Sequence, residues 1–189
     1  MKRLLLVAFL MIQAGLYAQK DCEFDTNFTD SIGSYKETKQ KIIHEKIFAG
    51  NSNNIFFSLA NDDGTPVLNF QYIQKSKDFM KATCFDSTSK IYLQLENGKI
   101  FTMIISEDGN CGTTVRDEKT GASVRITSAT FLFMKNSIEE LKKSPVSLIR
   151  IKYNSETVDY IMKKEIISEL NQQKSFPQNF FMDYLKCIE

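Results

Sequence analysis

The chain has 189 residues, a formal net charge of +1 and 42% hydrophobic residues. That balance excludes a disordered tail, a collagen-like repeat and a polytopic membrane protein, and its near-neutral charge lacks the basic excess that nucleic-acid binding requires. Eight Gly and three Pro are too few for low-complexity sequence, and the length suits a single core.

The N-terminus has the layout of a secretory signal peptide. Lys2 and Arg3 precede an apolar run of nine residues, Leu4 to Ile12, and a more polar stretch ends at Ala18. Such a run is about half of what spans a bilayer. Cleavage after Ala18 is expected, although Leu16 occupies a position where a small residue is preferred. The expected domains are a signal peptide at 1–18 and one exported domain at 19–189, secreted, periplasmic or held at the cell envelope, as in bacteria. Lipidation of Cys22 is the alternative, but Asp21 stands where that chemistry needs a small residue.

Four cysteines follow: Cys22, Cys84, Cys111 and Cys187. An even number in an exported chain predicts two disulfides. A zinc site or a Cys–His nucleophile is the sharper alternative, weakened by the lack of any C-x-x-C and by a single histidine, His44.

Residues 23–35 are rich in turn formers and are expected to be irregular or briefly helical. From Lys41 onward the pattern is strand-like, and hairpin turns set testable registers. A two-residue turn at Asp63-Gly64 pairs Leu59 with Leu68, Phe57 with Phe70 and Ile55 with Tyr72 on one face. Phe56 and Gln71 fall on the other. A turn at Asn97-Gly98 pairs Leu95 with Ile100, Leu93 with Thr102 and Ile91 with Ile104, leaving Phe101 on the polar side. The same arithmetic puts Cys84 opposite Cys111, which predicts that disulfide and leaves Cys22 for Cys187. Ser87-Thr88 and Asp108-Gly109 can interrupt the ladder before it reaches them.

A longer loop at Glu118-Lys119-Thr120-Gly121 leads into a strand over 122–134, whose end, Phe131-Leu132-Phe133, is apolar on both faces. Ser137 to Lys143 is expected to form a short helix, with Ser137 and Glu140 at capping-box spacing and Pro145 as the stop. A turn at Asn154-Ser155 pairs Ile151 with Val158, Ile149 with Tyr160 and Arg150 with Asp159. The chain ends in helical signals: Ile166, Ile167 and Leu170 share a stripe, and after Pro177 so do Phe180, Tyr184 and Cys187, beside Phe181, Leu185 and Ile188. The fold class is α+β: an antiparallel, hairpin-rich sheet, as a meander, sandwich or barrel, with C-terminal helices packed on it.

Chemistry is sparse. His44, beside Glu45, is a candidate general base, but no G-x-S-x-G elbow or second histidine accompanies it. Asp62-Asp63 occupies a turn and Glu139-Glu140 a helix start, each explained by backbone physics. Asp25, Asn27, Thr29 and Asp30 resemble the start of a calcium loop that lacks its Gly and its terminal Glu. Asn27-Phe28-Thr29 is a formal glycosylation acceptor. No nucleotide-binding motif occurs, so no cofactor and no metal are expected. The lysine-rich stretches at 36–46, 135–143 and 163–164 are interleaved with glutamates and read as solvated faces.

Fifteen Phe, seven Tyr and no Trp suit a packed core better than a stacking platform. Phe56 and Phe101, on polar hairpin faces, mark either a partner surface or the underside of a covering helix. The expectation is a non-enzymatic exported domain that binds a protein or envelope partner. A small apolar-ligand binder with a barrel-like pocket is the second reading, a secreted hydrolase the third.

Overall fold

A computed structural model describes residues 21–107 and 109–189; the expected signal peptide lies outside them. The strands are β1 (Phe24–Thr29), β2 (Ser34–Thr38), β3 (Lys41–Phe48), β4 (Asn51–Asp62), β5 (Thr65–Ser76), β6 (Lys90–Leu95), β7 (Ile100–Ile105), β8 (Thr113–Arg116) and β9 (Ser123–Phe133). Helix α1 (Ser137–Leu141) follows, then β10 (Val146–Lys152), β11 (Thr157–Ile161), β12 (Ile166–Ile167) and β13 (Lys174–Ser175). The chain closes with helix α2 (Phe180–Tyr184), flanked by 3-10 turns at Pro177–Asn179 and Leu185–Ile188. Strands β1 to β11 form one antiparallel sheet in the order 1-2-4-5-9-7-6-10-11, with β3 beside β4 and β8 beside β9. The sheet is open, so the expected α+β class holds in outline while its possible closure into a barrel does not.

The turn at Asp63-Gly64 shows why its register was readable. Both residues have positive φ, +46° and +88°, as the turn matching strand twist requires. Leu59–Leu68, Phe57–Phe70 and Ile55–Tyr72 face each other as expected, and all six side chains are buried. The Asn154-Ser155 turn also fixes its expected pairs, Ile151–Val158, Ile149–Tyr160 and Arg150–Asp159. The loop at 118–121 joins Asp117 to Ala122, whose carbonyl accepts from the Asp117 amide at 2.8 Å.

Asn97-Gly98 behaves differently. The Leu95 amide donates to the Lys99 carbonyl, and Gly98, at φ +84°, takes the third place of a three-residue loop. This slips the register by one residue relative to a two-residue turn. Leu93 therefore faces Phe101 and Ile91 faces Met103. The slip turns all of β7 over: Met103 is fully buried, whereas Ile100 is 62% exposed. Phe101 consequently packs against the core instead of lying on the polar face.

Three further expectations are corrected. Residues 24–38 form the hairpin β1–β2 instead of irregular or helical chain, because β2 finds the free end of β4, with Tyr35 opposite Asp62 and Glu37 opposite Ala60. Ile166 and Ile167 lie in β12, paired with Lys174 and Ser175, so their helical spacing yields to a hairpin seated on β3. The Ser175 hydroxyl donates to the Ile42 carbonyl at 2.7 Å. Helix α1 lacks a capping box: Ser137 is already inside it, donates to the Met134 carbonyl, and Asn136 at φ +67° takes the cap position.

Phenylalanines fill the inner face. Phe57 meets Phe180 at 5.7 Å between ring centres, and Phe133 meets Phe181 at 6.2 Å, so the segment after Pro177 buries against the sheet as expected. From the loop between β5 and β6, Phe85 reaches Phe70, Phe131 and Tyr153 at 5.2, 5.6 and 5.1 Å. Two disulfides, Cys84–Cys111 and Cys22–Cys187, hold that loop and the C-terminal segment in place. The first forms although the β6–β7 ladder is already out of step, because irregular chain on both sides carries the cysteines together: the Phe85 amide donates to the Asn110 carbonyl at 2.8 Å.

Candidate functional site

The inner face changes character along its strands. On β5 the inward positions run Leu68, Phe70, Tyr72, Gln74; on the facing part of β4 they run Leu59, Phe57, Ile55, Asn53. Apolar packing thus gives way to hydroxyls and amides at one end, where a recess of about 380 Å³ opens. Its wall includes Asn53, Tyr72, Gln74, Tyr153, Glu156 and Tyr160.

Three of the chain's seven tyrosines converge there. Tyr72 comes from β5 in mid-sheet, Tyr153 from the residue just after β10 and Tyr160 from β11. The Tyr72 hydroxyl donates to Asn53 Oδ1 at 3.1 Å, and the Tyr153 and Tyr160 hydroxyls lie 3.3 Å apart. Burial raises the pKa of all three phenols, so they remain neutral O–H groups across the physiological range. Gln74 Oε1 is buried without a hydrogen-bond partner. Across the ladder stands Arg125, whose Nη1 is in the same condition. Buried polar atoms without partners cost free energy and call for an explanation. At the mouth, Lys81 and Glu156 approach to 3.5 Å and offset each other's charge.

His44 borders this region without entering its wall. Its ring meets Tyr160 edge-on at 4.9 Å between centres. Burial, with Lys163 and Lys46 nearby, lowers its pKa below the ordinary 6.5. The adjacent carboxylate does not orient it: Glu45 accepts instead from the Ser168 hydroxyl and the Glu169 amide, both at 2.8 Å. His44 is thus an aromatic neighbour of Tyr160, and the carboxylate next to it in sequence is engaged with Ser168 and Glu169.

The remaining candidates are dispersed. Asp62 and Asp63 sit at the tip of the β4–β5 hairpin. Glu139 and Glu140 lie in the first turn of α1 and pair with Lys142 and Lys99. Asp25, Asn27 and Thr29 lie along the extended β1, and Asp30 Oδ1 accepts from the Ile32 and Gly33 amides of the following turn. Phe56, opposite Ile42 and Gln71, borders a groove against the β12–β13 hairpin. On the outward face, Ile100, Gln94, Leu148 and Ile161 are successive neighbours across four strands, with Ile161 78% exposed.

Sequence reasoning missed the recess. The signal available to it was parity: Tyr72 shares a face with Phe70, and Tyr160 with Val158, but nothing in the one-dimensional pattern joins β5 to β11. No family model, curated protein or solved structure matches the chain.

Proposed function

We propose that this is an exported, disulfide-stapled protein that works by binding, not by catalysis, and that the tyrosine-lined recess is where it binds. The observation that carries the reading is the convergence of Tyr72, Tyr153 and Tyr160, beside Asn53, Gln74 and Glu156, around a 380 Å³ recess. Concave sites with a few converging polar groups are where ligands bind. Two disulfides support export, because such bonds persist in oxidising compartments. No described helix is long and apolar enough to cross a membrane.

An apolar-ligand pocket finds less support, since Phe57, Phe70, Phe85 and Phe131 fill the interior where it would lie. Phe101 no longer offers itself as a contact once β7 is turned over, and Phe56 lies half-buried against the C-terminal hairpin. The recess is therefore the better candidate for recognition of an envelope component or partner.

The test is NMR mapping of the exported protein titrated with extracts of the host envelope. Amide shifts concentrated on Asn53, Gln74, Glu156 and Tyr160 are expected. Shifts confined to the outward row of Ile100, Leu148 and Ile161 would overturn the assignment. N-terminal sequencing of the exported product should begin at Gln19, and retention of Met1 would refute export.

A further inference from the structure

Resting on the reading of the recess as the contact region, we infer that the end of the sheet around it docks on a membrane surface bearing anionic lipid headgroups. Two tips project there. Phe48 closes β3 opposite Asn51, across a two-residue turn in which Ala49 and Gly50 both have positive φ, +50° and +79°. Phe79 stands at the crest of the loop after β5. That loop is held at its base, where the Ser76 hydroxyl accepts from the Asp78 amide at 3.0 Å and Thr83 is buried. Ser52 faces Lys75 in the ladder, so Asn51 and Ser76 lie side by side and both rings project beyond the same end of the sheet. Asn51, opposite Phe48, and Met80, next to Phe79, are both in the recess wall. Phe48 is 76% exposed and Phe79 95% exposed.

A lone exposed apolar side chain is ordinary, but two nearly bare phenyl rings on adjoining tips mark a contact. Proteins that rest on a bilayer bury such rings at the boundary of headgroups and acyl chains, while cations beside them meet anionic lipid. The cations are in place. Lys81 is paired with Glu156 at 3.5 Å, and Lys46, Lys75 and Lys77 outnumber the one acid left beside the rings, Asp78. The neighbouring loop after β8 is balanced, with Arg116 and Lys119 against Asp117 and Glu118. Lysine is depleted at protein–protein interfaces, so this composition favours lipid over a protein partner. The opposite end of β4 supplies the contrast. Ile32 is 93% exposed there, but it shares its surroundings with Asp30, Asp62 and Asp63, which repel anionic headgroups.

The experiment is vesicle sedimentation of the full exported chain. One set of vesicles is pure phosphatidylcholine; the other contains about one third phosphatidylglycerol. The chain should sediment with the anionic set about tenfold more tightly than with the neutral one, and salt should release it. Phe48→Ser and Phe79→Ser should each weaken anionic-vesicle binding by about tenfold, because each removes a ring that the bilayer buries. Lys46→Glu with Lys77→Glu should abolish the preference for anionic lipid. Ile32→Ser should bind as the parent does. All five positions are exposed, so the variants should fold, and matching thermal melts check that they do. No sedimentation with anionic vesicles, equal binding to both sets, or an Ile32→Ser loss as large as those of the phenylalanine variants would overturn the proposal. So would envelope-extract shifts around Phe48 and Phe79 that vanish after protease digestion of the extract, which would assign a protein partner. The broader reading fails separately: extract shifts at Asn53, Gln74, Glu156 and Tyr160 without vesicle binding sink the lipid surface alone, whereas shifts confined to the outward row sink the recess.

Discussion

His44 and Tyr160 meet ring to edge at 4.9 Å, a contact between β3 and β11, which lie far apart in the order of the sheet. The sheet curls until these strands touch through side chains, with no backbone ladder between them. A polar end of the inner face is thereby enclosed without a closed barrel.

This contact carries a pH dependence. Burial and the nearby Lys163 and Lys46 hold the His44 pKa below 6.5 in the folded chain, so the unfolded chain binds the proton more readily. The stability that comes from keeping His44 neutral is full above about pH 6.5 and is lost as the pH falls toward the folded value. Urea unfolding between pH 7 and pH 5 should show wild-type stability declining relative to His44→Gln. Parallel curves would show that the imidazole is not held neutral. His44→Ala should leave biological activity in the host largely intact, and loss of a hydrolytic turnover in that variant would restore the hydrolase reading.

Met103 and Ile100 report the orientation of β7. With Met103 fully buried and Ile100 62% exposed, Met103→Asp should cost more than about 4 kcal/mol or prevent folding. Ile100→Asp should stay within about 1 kcal/mol of the parent. Thermal melts of the two variants decide it, and a reversed ranking would restore the two-residue turn.

Arg150 grips Asp159 with both ends of its fork, Nε to Oδ1 at 2.6 Å and Nη2 to Oδ2 at 2.7 Å. Both side chains are substantially exposed, 53% and 41%, and solvent screens such pairs. Denaturant melts of Arg150→Ala should nearly superimpose on those of the parent. A clear loss of stability would mean the pair is shielded from water.

The disulfides should differ in weight. Cys22–Cys187 spans 165 residues and Cys84–Cys111 spans 27; loop entropy alone gives roughly 5 and roughly 3.5 kcal/mol. Paired Cys→Ser variants, compared by denaturant midpoint, should therefore rank the longer crosslink first. Peptide mapping without reduction should recover the same two linked pairs.

Legibility in the sequence followed turn geometry closely. The hairpins at Asp63-Gly64 and Asn154-Ser155 were readable because their loops hold two residues and their faces alternate cleanly. Asn97-Gly98 misled because a glycine in the left-handed region serves equally as the second residue of a short loop or the third of a longer one, and both registers put aliphatic side chains on β7's inner face. Ile166, Ile167 and Leu170 have helical spacing, yet the chain there is set by a tertiary partner, β3, that no local window contains. The recess was hidden for the same reason. Its tyrosines are up to 88 residues apart, and their meeting depends on the curl of the whole sheet.

The bond from Cys22 to Cys187 has one more consequence: with it in place, the backbone between them is a covalent ring, and Cys84–Cys111 is a chord across it. A single proteolytic cut anywhere on that ring changes connectivity but not molecularity. A nick in the loop bearing Phe79, which is 95% exposed, would open the ring and release no fragment. New chain ends would thus arise beside the recess, whose wall includes Met80 and Lys81, while the molecule stayed in one covalent piece.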